Sequence, residues 1–223
     1  MRTVTVLCTS FNRPDLLERT LKSFFKFNTY PIENFVVLDD SGEVGCNDHL
    51  KPVFPTVRFE YNLERIGQIK SIDRLYEFAE APYVFHLEED WEFYKKGFIE
   101  DSFDVLNENP NIHCVWLRSD KDTNGHPIED WAYQSEGSSV TWSKVKLNHK
   151  GMWHGFTFNP GLRRVSEYFT HGPYSRLAEF DPKKPWKSES IIGAYFKNHG
   201  YIAAIIRGNG YVKHIGDGRG IRS

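Results

Sequence analysis

The chain alternates short strand-like runs with amphipathic stretches. Residues 3–10, TVTVLCTS, have the length and apolar content of a buried strand, and residues 12–27, NRPDLLERTLKSFFKF, follow as a helix. Pro14 suits its first turn, Asp15 and Glu18 suit its positive end, and Leu17, Leu21, Phe24 and Phe25 form one apolar stripe. NFVVLDD (34–40) and VRFEYN (57–62) read as the next two strands. A helix over 66–79 carries Ile69, Ile72, Leu75 and Tyr76 on its inner side, and APYVFHLEED (81–90) is a fourth strand. A helix over 97–110 and a strand over 112–118 complete the rhythm, which predicts an α/β fold with a mostly parallel sheet flanked by helices.

After Arg118 the pattern breaks. Residues 119–139 are polar and turn-rich, and 140–160 offer only short strands. Helical periodicity returns over 160–169 and 184–200, followed by strands over 201–206 and 210–215. The expectation is one domain over residues 1–223, with a nucleotide-binding half (1–118) and a less regular half (119–223) that binds an acceptor and carries the catalytic group.

Composition narrows the classes. With 28 basic and 30 acidic residues the net charge is −2, so nothing in the overall field points to nucleic acid, and no arginine-rich helix does either. Cys8, Cys46 and Cys114 are too few and too scattered for a disulfide framework or a zinc site, which fits a reducing compartment. No run approaches the roughly 18 apolar residues of a membrane span. The sequence reading is therefore a cytoplasmic protein, held at a membrane only through partners.

In open parallel sheets, ligands sit beyond the carboxyl ends of the strands. Those ends carry Thr9, Ser10, Asn12 and Arg13, then Asp39 and Asp40, then Asn62 and Arg65, and finally Glu88, Glu89 and Asp90. Arg13 and the hydroxyls beside a helix start suit a phosphate or a base edge, although Ser10 or Asn12 equally suits a helix cap. Asp39 and Asp40 suit ribose hydroxyls or a base N–H, or a plain turn. Three adjacent carboxylates repel one another and call for a nearby cation; hard oxygen donors without a thiolate favour Mg²⁺ or Mn²⁺.

VTVLCTSFNRPDLLERTLKSF, VVLDDSG, NLERIG, HLEEDW and the late VKHIGDG, in this order, resemble the inverting nucleotide-sugar glycosyltransferases of the GT-A fold, family 2-like. The similarity covers most of residues 1–118 and returns at FNPGLRR, WKSES and the last dozen residues. It implies a nucleoside diphosphate sugar as donor, UDP-linked as first choice, a Mn²⁺ or Mg²⁺ ion, and a glycan or other hydroxyl acceptor. It places the family's acidic element on Glu88, Glu89 and Asp90, with Glu where the family has its first Asp. Asp90 is then the metal ligand, completed by His214, and Glu88 or Glu89 faces the ribose or the ion's water. Thr9, Arg13, Asp39 and Asp40 match the nucleoside-holding positions.

The resemblance also implies a catalytic base at the start of a late helix, Glu189, with Asp181 as the competing candidate. Lys70, Arg163, Arg164, Lys213 and Arg219 would add positive charge around the phosphates. Trp91, Trp153, His154 and Trp186 would line an acceptor groove by ring stacking. The Gly-rich tail GDGRGIRS would close over the donor. Two rivals stand beside this reading: a sugar-nucleotide nucleotidyltransferase, against which the glycine-free CTSFNRP loop speaks, and a non-catalytic nucleotide-sugar-binding module.

Overall fold

The structure, a computed structural model, describes residues 2–178, 186–216 and 218. Asp181, Arg219 and most of the tail lie outside the described residues, as does the side chain of Trp186.

Strand β1 (Val4–Ser10) runs through the middle of a five-stranded sheet. It is followed by α1 (Pro14–Phe27), β2 (Asn34–Asp39), a 3₁₀ turn at Asp48–Leu50, β3 (Arg58–Tyr61), α2 (Gln68–Tyr76) and β4 (Tyr83–Glu88). Then come β5 (Trp91–Phe93), α3 (Phe98–Glu108), β6 (Ile112–Trp116), β7 (Tyr133–Gln134), β8 (Thr141–Lys144) and β9 (Gly161–Arg164). The chain ends with α4 (Val165–His171), α5 (Tyr174–Leu177), α6 (Trp186–Asn198), β10 (Ile202–Ile206) and β11 (Val212–His214).

The main sheet has the order β3-β2-β1-β4-β9. Its first four strands are parallel and β9 is antiparallel to β4. β1 is buried along its whole length because α1 and α3 cover one face and α2, α5 and α6 the other. On the first face, Phe24 of α1 meets Phe35, Phe85, Phe93 and Phe98 with centroids 5.2–5.9 Å apart. Burying one such ring contributes about 2–3 kcal/mol. A second sheet, β6-β10-β8-β7, and a ribbon of β5 with β11 complete the frame.

The helices and strands foreseen over 1–118 are present with shifted ends. Two elements differ. Residues 160–169 read as one helix, but Gly161–Arg164 form β9, which seals the β4 edge through the pairs Val84–Arg163 and Phe85–Leu162; only Val165 onward is helical. Leu162, Val165, Tyr168 and Phe169 mimic a helical spacing, and only a strand some 80 residues earlier reveals the true partner. β5, three residues long, is too short to show any period; it exists because β11 pairs with it.

Candidate active site

Strand order reverses direction between β1 and β4: β2 and β3 build outward on one side, β4 on the other. This is where an open α/β sheet leaves a crevice. The loops after β1 and β4 meet there. Arg13, just before α1, directs its guanidinium onto the acids: Nε donates to Glu89 Oε1 at 2.8 Å, and Nη2 lies 2.6 Å from Glu89 Oε1 and 3.0 Å from Asp90 Oδ2. The Phe11 amide also donates to Glu89 Oε1, at 3.1 Å. So the counter-charge that the acidic run demands is supplied first by the chain itself, and Arg13 serves the carboxylates where it was expected to serve a phosphate.

The three acids have separate surroundings. Glu88 accepts from Gln68 Nε2 at 2.7 Å and from Trp91 Nε1 at 3.2 Å. Burial raises its pKa well above the usual carboxylate range, and the charges of Asp90, Glu189 and Glu89 push the same way. Burial also pushes Glu89 up, with Arg13 opposing. Asp90 behaves differently: burial would raise it, but His214 and Arg13 together hold it below its ordinary value. His214 Nε2 stands 3.3 Å from Asp90 Oδ2, brought there by the β5–β11 ribbon, in which His214 pairs with Trp91. Gly216 packs so closely on Asp90 that a Cβ at that position would collide with Oδ2.

The acids at the end of β2 build the floor. Asp39 is buried and accepts from Ser10 Oγ (2.8 Å), the Asn12 amide (3.1 Å), the Ser41 amide (2.9 Å) and Asn47 Nδ2 (3.1 Å). Burial alone would raise its pKa, yet these donors, from Ser41, Ser10 and Asn12, leave it lowered. Asn12 takes φ 46°, a left-handed conformation that Asn tolerates, to aim its amide inward. Asp40 accepts from Asn62 Nδ2 (2.7 Å) and from the Ile66 and Gly67 amides (2.9 and 2.8 Å), tying β3 and the start of α2 to β2. Gly67 sits at φ 91°, which a side chain would strain. Thr9 is buried beside Glu88 in the β1–β4 register. Arg65 stacks over the Phe11 ring at 4.6 Å, at the mouth of the same crevice.

Glu189, in the first turn of α6, arrives from about 100 residues further along the chain. Its Oε1 accepts from Thr157 Oγ1 at 3.0 Å and from the Phe158 amide at 2.6 Å; its Oε2 makes no hydrogen bond among the described residues. Burial raises its pKa, and the Phe158 and Thr157 donors only partly offset that. Glu189 forms one wall of a pocket of about 180 Å³ whose other walls include Trp116, Arg118, Asn124, Trp153 and Asn159. Of these wall residues only Trp153 and Glu189 are singled out by the sequence; Thr157 and Gln68 carry no local signal in it.

Several expected site residues stand elsewhere. Trp91 is a core residue, 1% exposed, with Arg118 over its ring at 5.3 Å, so it offers no stacking face to an acceptor. His154 is buried, and its Nδ1 accepts from the Asn148 amide at 3.2 Å. Lys70 is exposed on α2 in a groove with Tyr168, Phe169 and Pro173, away from the crevice, because the helix turns that face toward α4 and α5. Arg164 donates to the Leu106, Pro110 and Ile112 carbonyls and pairs with Glu167; Lys213 pairs with Glu92. Arg163 is buried in the core. Among the described residues no group of three or more His, Cys, Asp or Glu converges as a ready metal cage.

The family model for glycosyl transferase family 2 matches residues 5–163, from β1 into β9. The chain belongs to this family. Its GT-A fold is shared by solved structures at low identity. Residues 1–349 of TarS from S. aureus align with a TM-score of 0.62 at 13% identity, over 94% of this chain and 59% of that one. The mannosyltransferase PcManGT from Pyrobaculum calidifontis, solved with GDP-Man and Mn²⁺, aligns at 0.61 and 15% identity, over 92% of this chain and 56% of its own. GalNAc-T7 with UDP, GalNAc and Mn²⁺ aligns at 0.62 and 13%, over 96% and 44%. The chain thus spans less than two thirds of each of these solved chains. No match was found among curated proteins. No helix among the described residues is long and apolar enough to cross a membrane.

Proposed function

We propose that the chain is a glycosyltransferase that moves a sugar from a nucleoside diphosphate carrier, UDP as first choice, onto an acceptor hydroxyl with inversion at the anomeric carbon. The observation that carries this reading is Glu189: one carboxylate oxygen is anchored by two donors, the residue lines a pocket, and its charge reaches Glu88 at the end of β4. A burial-raised carboxyl is suited to act as a general base closer to neutral pH. The UDP, GDP-Man and Mn²⁺ held by the structural neighbours support the donor class.

The donor occupies the β1–β4 crevice, over the floor that Asp39, Asp40 and Asn62 hold rigid, with Arg65 and the Ser10–Arg13 loop beside it. The acceptor enters the pocket of Trp116, Trp153, Asn124 and Asn159, where the side chain of Trp186 was also anticipated. Glu189 Oε2 takes the hydroxyl proton as that oxygen bonds to the anomeric carbon; the opposite C–O bond breaks and its electron pair leaves with the diphosphate. The transition state has oxocarbenium character, and no covalent enzyme intermediate forms. Asp90 and His214 fit a divalent ion: carboxylate and imidazole donors suit Mn²⁺, and they already stand 3.3 Å apart. Such an ion, when bound, supplies positive charge to the departing diphosphate.

The test is release of UDP or GDP from a panel of sugar nucleotides with Mn²⁺ and mixed glycan acceptors. Glu189→Gln should cut turnover by about 10²–10⁴-fold, the usual worth of a general base, while nucleotide affinity stays unchanged. Undiminished turnover in that variant would remove Glu189 from the reaction.

A further inference from the structure

Arg163 presents an anomaly. It lies on β9 opposite Val84, 3% exposed, with its guanidinium 5.1 Å from the Phe156 ring centroid and 5.7 Å from that of Phe158. Nη2 donates to the Thr157 carbonyl and the Tyr174 hydroxyl stands against the cation, whereas Nε and Nη1 make no well-formed hydrogen bond. Among the described residues no carboxylate lies within ion-pair distance of it. A permanently charged group in an apolar layer with no carboxylate in direct contact carries a large desolvation penalty, which a Leu or Met of similar reach would avoid. Core packing alone therefore does not account for an arginine here.

What the cation touches supplies the reason. Thr157 accepts from Arg163 at its carbonyl and donates from its hydroxyl to Glu189; the next amide, Phe158, donates to the same Glu189 oxygen. We infer that Arg163 is the positioning residue for Glu189, fixing from behind the Thr157–Phe158 segment that orients the carboxylate. This rests on the reading of Glu189 as the base. The effect of Arg163 on Glu189 has the right sign, since its charge works against the burial that raises the carboxyl.

Other groups face the pair. Glu88 on β4 lies near enough to feel Glu189. Around Arg163 stand Tyr76 of α2, Tyr174 of α5, Cys114 and His113 of β6, His86 of β4 and Glu167 of α4. Burial, reinforced by Arg163, lowers His86 and His113, with His113 down at about 3, so both are neutral in the working range. Tyr76 and Cys114 are pushed up by burial, and Tyr174 is raised likewise. Glu167 alone in this group titrates near neutrality.

The experiment compares pH profiles of kcat and donor KM for the wild type, Arg163→Met, Arg163→Lys, Thr157→Val and Glu167→Gln, with nucleotide binding checking the fold of each. Arg163→Met should lower kcat about 10²-fold, the scale of a small misplacement of a catalytic group, and leave donor KM unchanged. Its acidic limb should move to higher pH, because a base that has lost a nearby cation ionises later. Arg163→Lys should keep the limb near its wild-type position but lose rate, and Thr157→Val should lose rate from the other end of the relay. Glu167→Gln should leave the limb in place.

A limb that stays put in a folded Arg163→Met, with activity falling only as the folded fraction falls, would overturn the inference. Should that variant fail to fold, a full-rate Arg163→Lys together with a full-rate Thr157→Val overturns it equally. Retained turnover in Glu189→Gln would instead defeat the base reading itself, so the two failures are distinguishable.

Discussion

Replacing Arg13 by Met removes the cation that the acidic loop leans on. In the folded chain the Arg13 side chain is 14% exposed, against 5% for Glu89 and 11% for Asp90, and three contacts of 2.6–3.0 Å disappear together. Breaking a buried pair by deleting one partner typically costs about 3–5 kcal/mol. The lower end applies, about 3 kcal/mol, because Glu89 keeps the Phe11 amide and Asp90 keeps His214. Urea unfolding followed by tryptophan fluorescence at pH 7.5 reads this as a lower midpoint at unchanged slope. Lowering the pH should shrink the difference, because Glu89, raised by burial, then takes up a proton instead of standing as an unpaired charge. Millimolar Mn²⁺ should raise the melting temperature of the variant more than that of the wild type. A loss below about 1 kcal/mol, the scale of a solvent-screened surface pair, would refute the claim that Arg13 neutralises a buried cluster.

Two further outcomes follow from geometry elsewhere. Burial raises Glu167 from 4.5 to about 7 despite Arg164 at 2.7 Å, a guanidinium also shared with four main-chain carbonyls. A raised carboxyl contributes stability that is complete below its unfolded value and is lost as pH rises through its folded value. The wild type should therefore lose about 3 kcal/mol between pH 4.5 and 7 relative to Glu167→Gln in paired urea titrations, and parallel curves would contradict this. Gly216→Ala should cost about 1–3 kcal/mol in the same assay, the usual range for overpacking, because its new methyl displaces Asp90 from His214; an unchanged midpoint would show that the backbone just after β11 yields freely.

The sequence made the donor half readable because its helices bury clear stripes and its strands end in polar groups. Asp39, Asp40, Asn62, Arg13 and the β4 acids were all placed at one rim, and the fold brings them there. Their pairings were not legible. That Arg13 serves Glu89, or that Asp39 spends an oxygen on the Ser10–Asn12 segment, depends on contacts between residues 27–76 positions apart. The pocket around Glu189 was less legible still: Thr157 sits in a stretch with no period, and Arg163 was expected beside the phosphates because nothing local distinguishes an arginine facing a ligand from one enclosed by Phe156 and Phe158. Trp91 misled for the opposite reason, since a tryptophan beside acids resembles a sugar platform whether or not β11 later covers it.

β9 closes the flank of β4 with residues that leave the ribosome some 80 positions later. Until they emerge, the nascent chain displays an open row of β4 amides and carbonyls able to zip onto a neighbouring copy. Any fragment ending near residue 118 would retain that sticky margin, so expression of the donor half by itself should yield aggregates.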